Sequence, residues 1–355
     1  MYTRLKKTYI CKDVIDYKIN YQVSKNYIPQ TGDASIFEVM HIGKHRSVQS
    51  DSKRNVTIIP GDRIMAAFGT RYATAQFEGY VPENCFDELH ILGAGGTVGV
   101  INSMHEKFID VGPTKLRFIG LVTDLEGNVI NTKTLKSNEM SSFTGLPAHA
   151  TKLILSLGSS MDSGKTTSAA YLINGLKKAG FEVAYIKLTG TVYTKDCDLN
   201  YDLGADITAD FGDFGFPSTY MCSEKELLDL YESLLKKVLY VKPDYVVLEI
   251  ADGLYERETK MLLRNVDFME TIYGVIFSAG DSLSAINGVQ VLRDWNIRLF
   301  AISGLLTASP LLIKEVKENT SLPVYTVEEL SMNATEILRK NKGAGYGKRK
   351  LRKVS

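Results

Sequence analysis

Residues 153–167, Leu-Ile-Leu-Ser-Leu-Gly-Ser-Ser-Met-Asp-Ser-Gly-Lys-Thr-Thr, hold the strongest chemical signal in the chain. An apolar run ends in Gly158, a short loop follows, and Gly164-Lys165-Thr166 opens an amphipathic stretch. That order suits phosphate binding. Glycines let backbone N–H groups turn inward around phosphate oxygens, and a helix N-terminus adds positive potential. Lys165 would neutralise the terminal phosphates, and the Thr166 hydroxyl would ligate Mg2+. Gly158, Ser159, Ser160, Met161, Asp162, Ser163, Gly164, Lys165, Thr166 and Thr167 are therefore the candidate nucleotide contacts. The common spacing, Gly-x4-Gly-Lys-Ser/Thr, requires glycine at 159. Ser159 stands there, and the glycine lies one place earlier.

The elements that must position this loop alternate in type. Residues 152–157 read as a strand. Residues 166–179 read as a helix with Ala169, Ala170, Leu172, Ile173 and Leu176 on one side. The next strand is 182–188. Helices follow at 224–239, 283–295 and 310–318, and strands at 245–250, 272–278 and 298–303, with 322–325 completing the pattern. Mostly apolar strands alternating with helices predict a parallel sheet covered on both faces. Lys187 and Glu249 each end an apolar strand, the edge where open parallel sheets bind ligands. Glu249 is accordingly a candidate metal ligand.

Before residue 150 the pattern changes. Residues 56–60, 63–68, 98–102 and 116–123 read as strands, separated by turn signals at 60–62, 93–96 and 126–128. The expected fold class is α/β: a parallel-sheet domain at 151–330 preceded by a smaller β-rich domain at 1–150, a small barrel in form. Residues 137–151 read as the linker. Residues 331–355 read as a basic, flexible tail, with eight Lys or Arg and no acid from Arg339 onward.

The Gly-x5-Gly-Lys-Thr spacing resembles dethiobiotin synthetase and its relatives in the MinD-like (SIMIBI) branch of P-loop NTPases. The likeness covers 152–325, about half the chain. It implies a P-loop NTPase domain, ATP as nucleotide and Mg2+ as metal. Tyr185-Ile186-Lys187 matches a segment whose lysine assists the reacting carboxylate and the γ-phosphate, which makes Lys187 a catalytic candidate beside Lys165. The family's following proline is absent. Asn200-Tyr201-Asp202 is similar to the family's Asn-Ser-Asp, so Asp202 joins Thr166 and Glu249 as an implied metal ligand. Asp196, Asp198, Asp206 and Asp210 are alternatives, and 202, 206 and 210 would share a face if helical. Pro217-Ser218-Thr219, residues 245–253 and residues 275–287 follow the family's order too. The Asn-Asp pair that reads adenine is replaced by Ile302-Ser303-Gly304-Leu305, which leaves GTP open.

Other signals are weaker. Gly93-Ala-Gly-Gly-Thr-Val-Gly99 has the spacing of a dinucleotide loop but precedes a strand, and so reads as a turn. Residues 68–80 mix aromatics, glycine and Arg71, as a ligand loop or an inward-packed turn. Five histidines show no zinc spacing, and four scattered cysteines suggest reduced thiols in a cytosol. Formal charge is +1, and no apolar run reaches membrane-spanning length, which argues against nucleic acid and membrane as partners. The leading expectation is a cytoplasmic Mg-ATP-dependent enzyme that activates a small carboxylate-like or other anionic acceptor, with a homodimer implied by the resemblance. The alternatives are a nucleotide-switched binding or adaptor protein, and a fold that has lost turnover and transfers an acyl group.

Overall fold

A computed structural model describes residues 5–146 and 150–339 of the 355-residue chain. In the N-terminal part, five strands close on themselves: β1 (Ala34–His41), β2 (Arg63–Phe68), β3 (Leu89–Gly93), β4 (Thr97–Met104) and β5 (Lys115–Thr123). Antiparallel pairing runs β2–β1–β5–β3–β4. The ring is completed by a parallel pairing of β4 with β2, Thr97 opposite Ala67 and Val98 opposite Phe68. Closure removes the unpaired edges that an open sheet exposes. Phe37, Phe68 and Phe118 fill the interior with Ile64, Leu89 and Val98; the Phe37 and Phe68 rings meet edge-to-face at 5.2 Å. Residues 56–60 are not one strand. Asn55–Thr57 pairs with Ser47–Gln49, and the chain then turns at Pro60-Gly61-Asp62.

The C-terminal part is a six-stranded sheet in which every pairing is parallel. Its strands are β6 (Lys152–Gly158), β7 (Val183–Lys187), β8 (Ile207–Asp210), β9 (Tyr245–Glu249), β10 (Ile272–Ser278) and β11 (Leu299–Ser303), in the order β8-β7-β9-β6-β10-β11. Alternation of side chains commits both faces of β6: Leu153, Leu155 and Leu157 enter one apolar cluster and Ile154 the other. Helices α1 (Lys165–Lys178) and α7 (Val327–Arg339) cover the Ile154 face. Helix α3 (Glu224–Leu239) covers the opposite face and starts in a capping box between Ser223 and Glu226. Helix α2 (Lys195–Asp202) borders the site, and α4 (Arg257–Arg264), α5 (Ser282–Asp294) and α6 (Pro310–Asn319) are further helices of this part. From β6 the chain goes first to β7 on one side and later to β10 on the other. The crevice at the end of β6 is thus the ligand position of an open α/β sheet.

Two expectations need correction. Residues 331–339 are not tail: they continue α7, and Leu330, Ala334, Ile337 and Leu338 are buried. Burial of those apolar side chains, about 1.5–3 kcal/mol for each large one, holds the segment down; residues 340–355 lie outside the described residues. The supposed linker is also seated. Ser141 N–H donates to Ser233 Oγ at 2.8 Å and Phe143 N–H to Asp229 Oδ1 at 2.9 Å, both on α3.

The barrel and the parallel sheet share one apolar cluster, in which Ile10, Met65 and Ala67 meet Val192, Phe211 and Phe216. The β3–β4 turn, Gly93 to Gly96, is seated on the segment after β7. Thr97 Oγ1 donates to Pro217 O at 2.9 Å, and Thr70 Oγ1 to Tyr220 O at 2.7 Å. A Cβ on Gly95 would lie 2.1 Å from Val192 O, a backbone atom that cannot swing aside. The glycines of this turn therefore serve close approach, and the turn reading holds over the dinucleotide one.

Gly95→Ala is expected to cost about 1–3 kcal/mol through this overpacking, read as a lowered melting temperature. Gly280→Ala, where nothing lies within 4 Å, is the matched control. Equal melting temperatures for the two variants would show that the hairpin is not seated on Val192.

Candidate functional site

The loop between β6 and α1 is built as an anion cradle. A Cβ at Gly158 would sit 2.3 Å from Ser163 Oγ and 2.7 Å from Lys165 Cδ, so the loop folds back over this residue only because it is glycine. Asp162 takes a left-handed conformation, φ 61°. Ser159 N–H is held by Ser278 O at 2.9 Å, whereas the N–H groups of Ser160 to Gly164 donate to nothing among the described residues. Ser163 Oγ is buried without a partner among the described residues. Free amide donors, an orphaned hydroxyl and the N-terminus of α1 together make a site that lacks only its acceptor, which phosphate oxygens would supply.

Lys165 reaches back over this loop. Its Nζ donates to Ser160 O and to Asp252 O, both at 2.7 Å. Burial pushes its pKa down to about 8, against the pull of the Glu249 carboxylate. It is a cation held on neutral carbonyls, not in an ion pair.

Glu249 is the hub of the site. It ends β9, next to the loop strand, and has no exposure. Thr166 Oγ1 donates to its Oε1 at 3.0 Å, and Tyr185 OH to its Oε2 at 2.9 Å. Lys187, at the end of β7, ion-pairs with Oε1 and also with Asp196 Oδ2 at 2.8 Å. Burial opposes the charge on Lys187, but Asp196 and Glu249 together raise its pKa well above the usual lysine value. Burial likewise opposes the charge on Asp196, and Lys187 holds its carboxyl below the ordinary range. The lysine is thus locked as a cation.

Thr166, Lys187, Asp196 and Glu249 line a cavity of about 550 Å³. Met161, Asp162, Ser163, Gly164, Lys165, Thr166 and Thr167 form one wall, while Gly158, Ser159 and Ser160 do not line it. Lys187 and Glu249 are there as the sequence reading had them. Asp202 is not: it is the last residue of α2 and is exposed, whereas Asp196, in the first turn of that helix, lines the cavity. Nor do residues 202, 206 and 210 share a helical face, because α2 ends at Asp202. Asp206 instead pairs with Lys177 at 2.7 Å. Asp210 is buried as a cap on Gly212 N–H, and burial and Asp213 push its pKa up to about 7. Sequence reasoning assigned no role to Asp252, and left the stretch containing Arg71 and Tyr72 as either a ligand loop or an inward-packed turn. Both are cavity walls. The mixture of Arg and aromatics at 71–80 was the available signal.

Hard oxygen donors suit Mg2+. The Thr166 hydroxyl and the Glu249 carboxylate meet at 3.0 Å, with Asp196 across Lys187. Among the described residues no group of three or more His, Cys, Asp or Glu is arranged to hold a metal. Thr166 and Glu249 supply two such donors, so a Mg2+ held there would need phosphate oxygens and water as its remaining ligands.

No family model and no curated protein matches the chain. Similar solved structures include the signal recognition particle receptor FtsY from Elizabethkingia anophelis, at 17% identity and TM-score 0.38, covering 59% of this chain and 70% of that one. The same receptor in complex with GDP gives 15% and 0.39, covering 61% and 75%. The signal recognition particle 54 kDa protein from Aeropyrum pernix K1 in complex with GDP gives 16% and 0.36, covering 56% and 50%. At that level the likeness adds nothing to what the sheet order and the loop themselves show. The protein is a mixed α/β chain whose parallel sheet carries a phosphate-type loop at the end of its switch-point strand. No described helix is long and apolar enough to cross a membrane.

Lys165 supplies a pH signature. A bound polyphosphate favours its charged form, so binding above about pH 8 requires proton uptake. Calorimetry in buffers of different ionisation enthalpy is expected to show uptake of roughly half a proton at about pH 8 and close to none at about pH 6.5. Uptake that does not change with pH, or that persists in Lys165→Ala, would contradict this assignment.

Proposed function

We propose that the chain binds a Mg-nucleoside triphosphate at residues 158–167 and cleaves its γ-phosphate, passing the phosphoryl group to a small anionic acceptor. The observation that carries the reading is the row of free N–H groups from Ser160 to Gly164 with the Glu249–Thr166–Lys187 cluster directly beside it. The loop amides would hold the phosphate oxygens. Lys165 would leave its two carbonyls for the terminal phosphates. Mg2+ would supply neutralisation of charge on the β- and γ-oxygens, from the side of Thr166 and Glu249. Lys187, kept charged by two carboxylates, stabilises negative charge that builds during transfer. Catalysis of this kind is positioning and electrostatic stabilisation rather than covalent chemistry by the protein. The synthetase resemblance supports the acceptor half of this reading, and ATP is the nucleotide it implies. The adenine-reading pair is absent, so GTP is tested equally.

A second reading, a nucleotide-driven switch, has its own observation. The segment that follows Lys187 is the one on which the barrel sits, through Val192, Thr194 and Pro217. A shift of Lys187 on nucleotide binding would reach the barrel along this segment.

Lys187→Ala separates the two. In the transfer reading, affinity for Mg-ATP or Mg-GTP stays within about threefold, while single-turnover cleavage in the presence of the acceptor, read as nucleoside diphosphate release, falls about a hundredfold. In the switch reading release is nearly unaffected. Glu249→Gln, with its shape retained, is expected to lose Mg2+-dependent turnover about a hundredfold as well. A variant that loses melting temperature but keeps its turnover marks Glu249 as structural. Absence of binding of both nucleotides to the wild-type protein overturns the proposal.

A further inference from the structure

Arg71 is the cavity residue that phosphoryl transfer, as described, leaves without a task. It lies on the barrel part, in the short strand Arg71–Tyr72 after β2, and is only 9% exposed. One Nη donates to Leu92 O, the other to Gln76 Oε1 at 2.8 Å, and Nε–H has no acceptor. A guanidinium carries five N–H donors, so the described partners leave several unused. No carboxylate within ion-pair distance answers its charge among the described residues; Asp252 acts on it only at longer range. Burial pushes its pKa down to about 10. The surroundings add positive charge. Gln76 Oε1 also accepts from Lys44 Nζ, and burial together with Arg71 and Lys107 pushes Lys44 down to about 7.

A buried guanidinium that shares one neutral acceptor with a half-buried lysine is a costly arrangement unless an anion completes it. The cavity provides the space. Arg71 and Tyr72 face the phosphate loop across it. Tyr72 is fixed by its ring contact with Tyr220, centroids 5.3 Å apart, and the cleft continues past Thr191 and Thr219. We propose that Arg71 anchors an acceptor subsite, which holds the carboxylate or phosphate group of a small molecule between this short strand and the phosphate loop. This deepens the transfer reading and rests on it for the neighbouring nucleotide, but the anion site itself stands on Arg71.

The test is calorimetry on the full chain with two probes, succinate and inorganic phosphate. Each is titrated with and without saturating Mg2+ and the non-hydrolysable β,γ-imido analogue of ATP or GTP. The wild-type protein is expected to bind at least one probe. Arg71→Gln should weaken that binding at least tenfold, and Arg71→Lys severalfold, because a point charge replaces a fork. Affinity for the nucleotide analogue should stay within about twofold in both. Should Arg71→Gln fail to fold, judged by its melting transition, Arg71→Lys carries the test. The proposal is overturned if neither probe binds the wild-type protein, or if both variants bind the probe as the wild type does. It is also overturned if the Arg71 variants weaken the triphosphate analogue but not the diphosphate, for the anion is then the γ-phosphate. Arg71-dependent probe binding by a protein that binds no nucleotide would keep the subsite and remove the nucleotide reading instead.

Discussion

A fully buried carboxylate organises this protein. Glu249 has no exposure, and an ion removed from water in this way persists only with its oxygens fully engaged. Its three partners come from two elements: Thr166 from the start of α1, Tyr185 and Lys187 from β7. Lys187 extends the network to Asp196 on α2. The carboxylate thereby fixes where the phosphate loop ends, where β7 delivers its lysine and how α2 leans on the sheet. Removing one partner would strand a charge in the interior, so the cluster is rigid before any ligand arrives. That is the condition under which fixed charges stabilise a developing one without reorganising.

The second constraint is the seating of the barrel. A closed barrel has no free edge to pair with a neighbour, so it attaches through side chains and turns. The glycine turn at 93–96 lets backbone meet backbone at Val192, and Thr70 and Thr97 bond to carbonyls of 217–220. The consequence for chemistry is direct. The same seating brings residues 71–73 over the cavity, so the walls come from both parts of the chain. Neither part alone contains the site.

Local signals were legible in the sequence where the chemistry is local. The loop from Gly158 to Thr167 declares itself by residue type and spacing, and Lys187 and Glu249 by their position at strand ends. The strands 63–68 and 272–278 and the helix 224–239 coincide with the observed Arg63–Phe68, Ile272–Ser278 and Glu224–Leu239, because unbroken apolar patterns and a Ser223 cap mark them. What depends on tertiary packing was not legible. Asp196 and Asp202 differ in sequence only by being acids six residues apart. Which one faces the cavity is set by how α2 lies on β7. Arg71 is separated from Lys165 by most of a barrel, and its burial opposite the loop follows from the seating alone. The run 331–339 stands next to a basic segment that begins at Arg339, yet its Ala334, Ile337 and Leu338 fall on one face and pack in the cluster that α1 shares.

The central claim is that residues 158–167 receive nucleotide phosphates, and hydrogen–deuterium exchange of the backbone amides tests it most directly. The N–H groups from Ser160 to Gly164 have no acceptors among the described residues, so they should exchange fast in the free chain. Saturating Mg-ATP or Mg-GTP should slow them sharply, with protection concentrated in 159–167 and no comparable change in the barrel strands. A nucleotide that binds while those amides go on exchanging at their free rate would contradict the account, and would move the binding site elsewhere in the molecule.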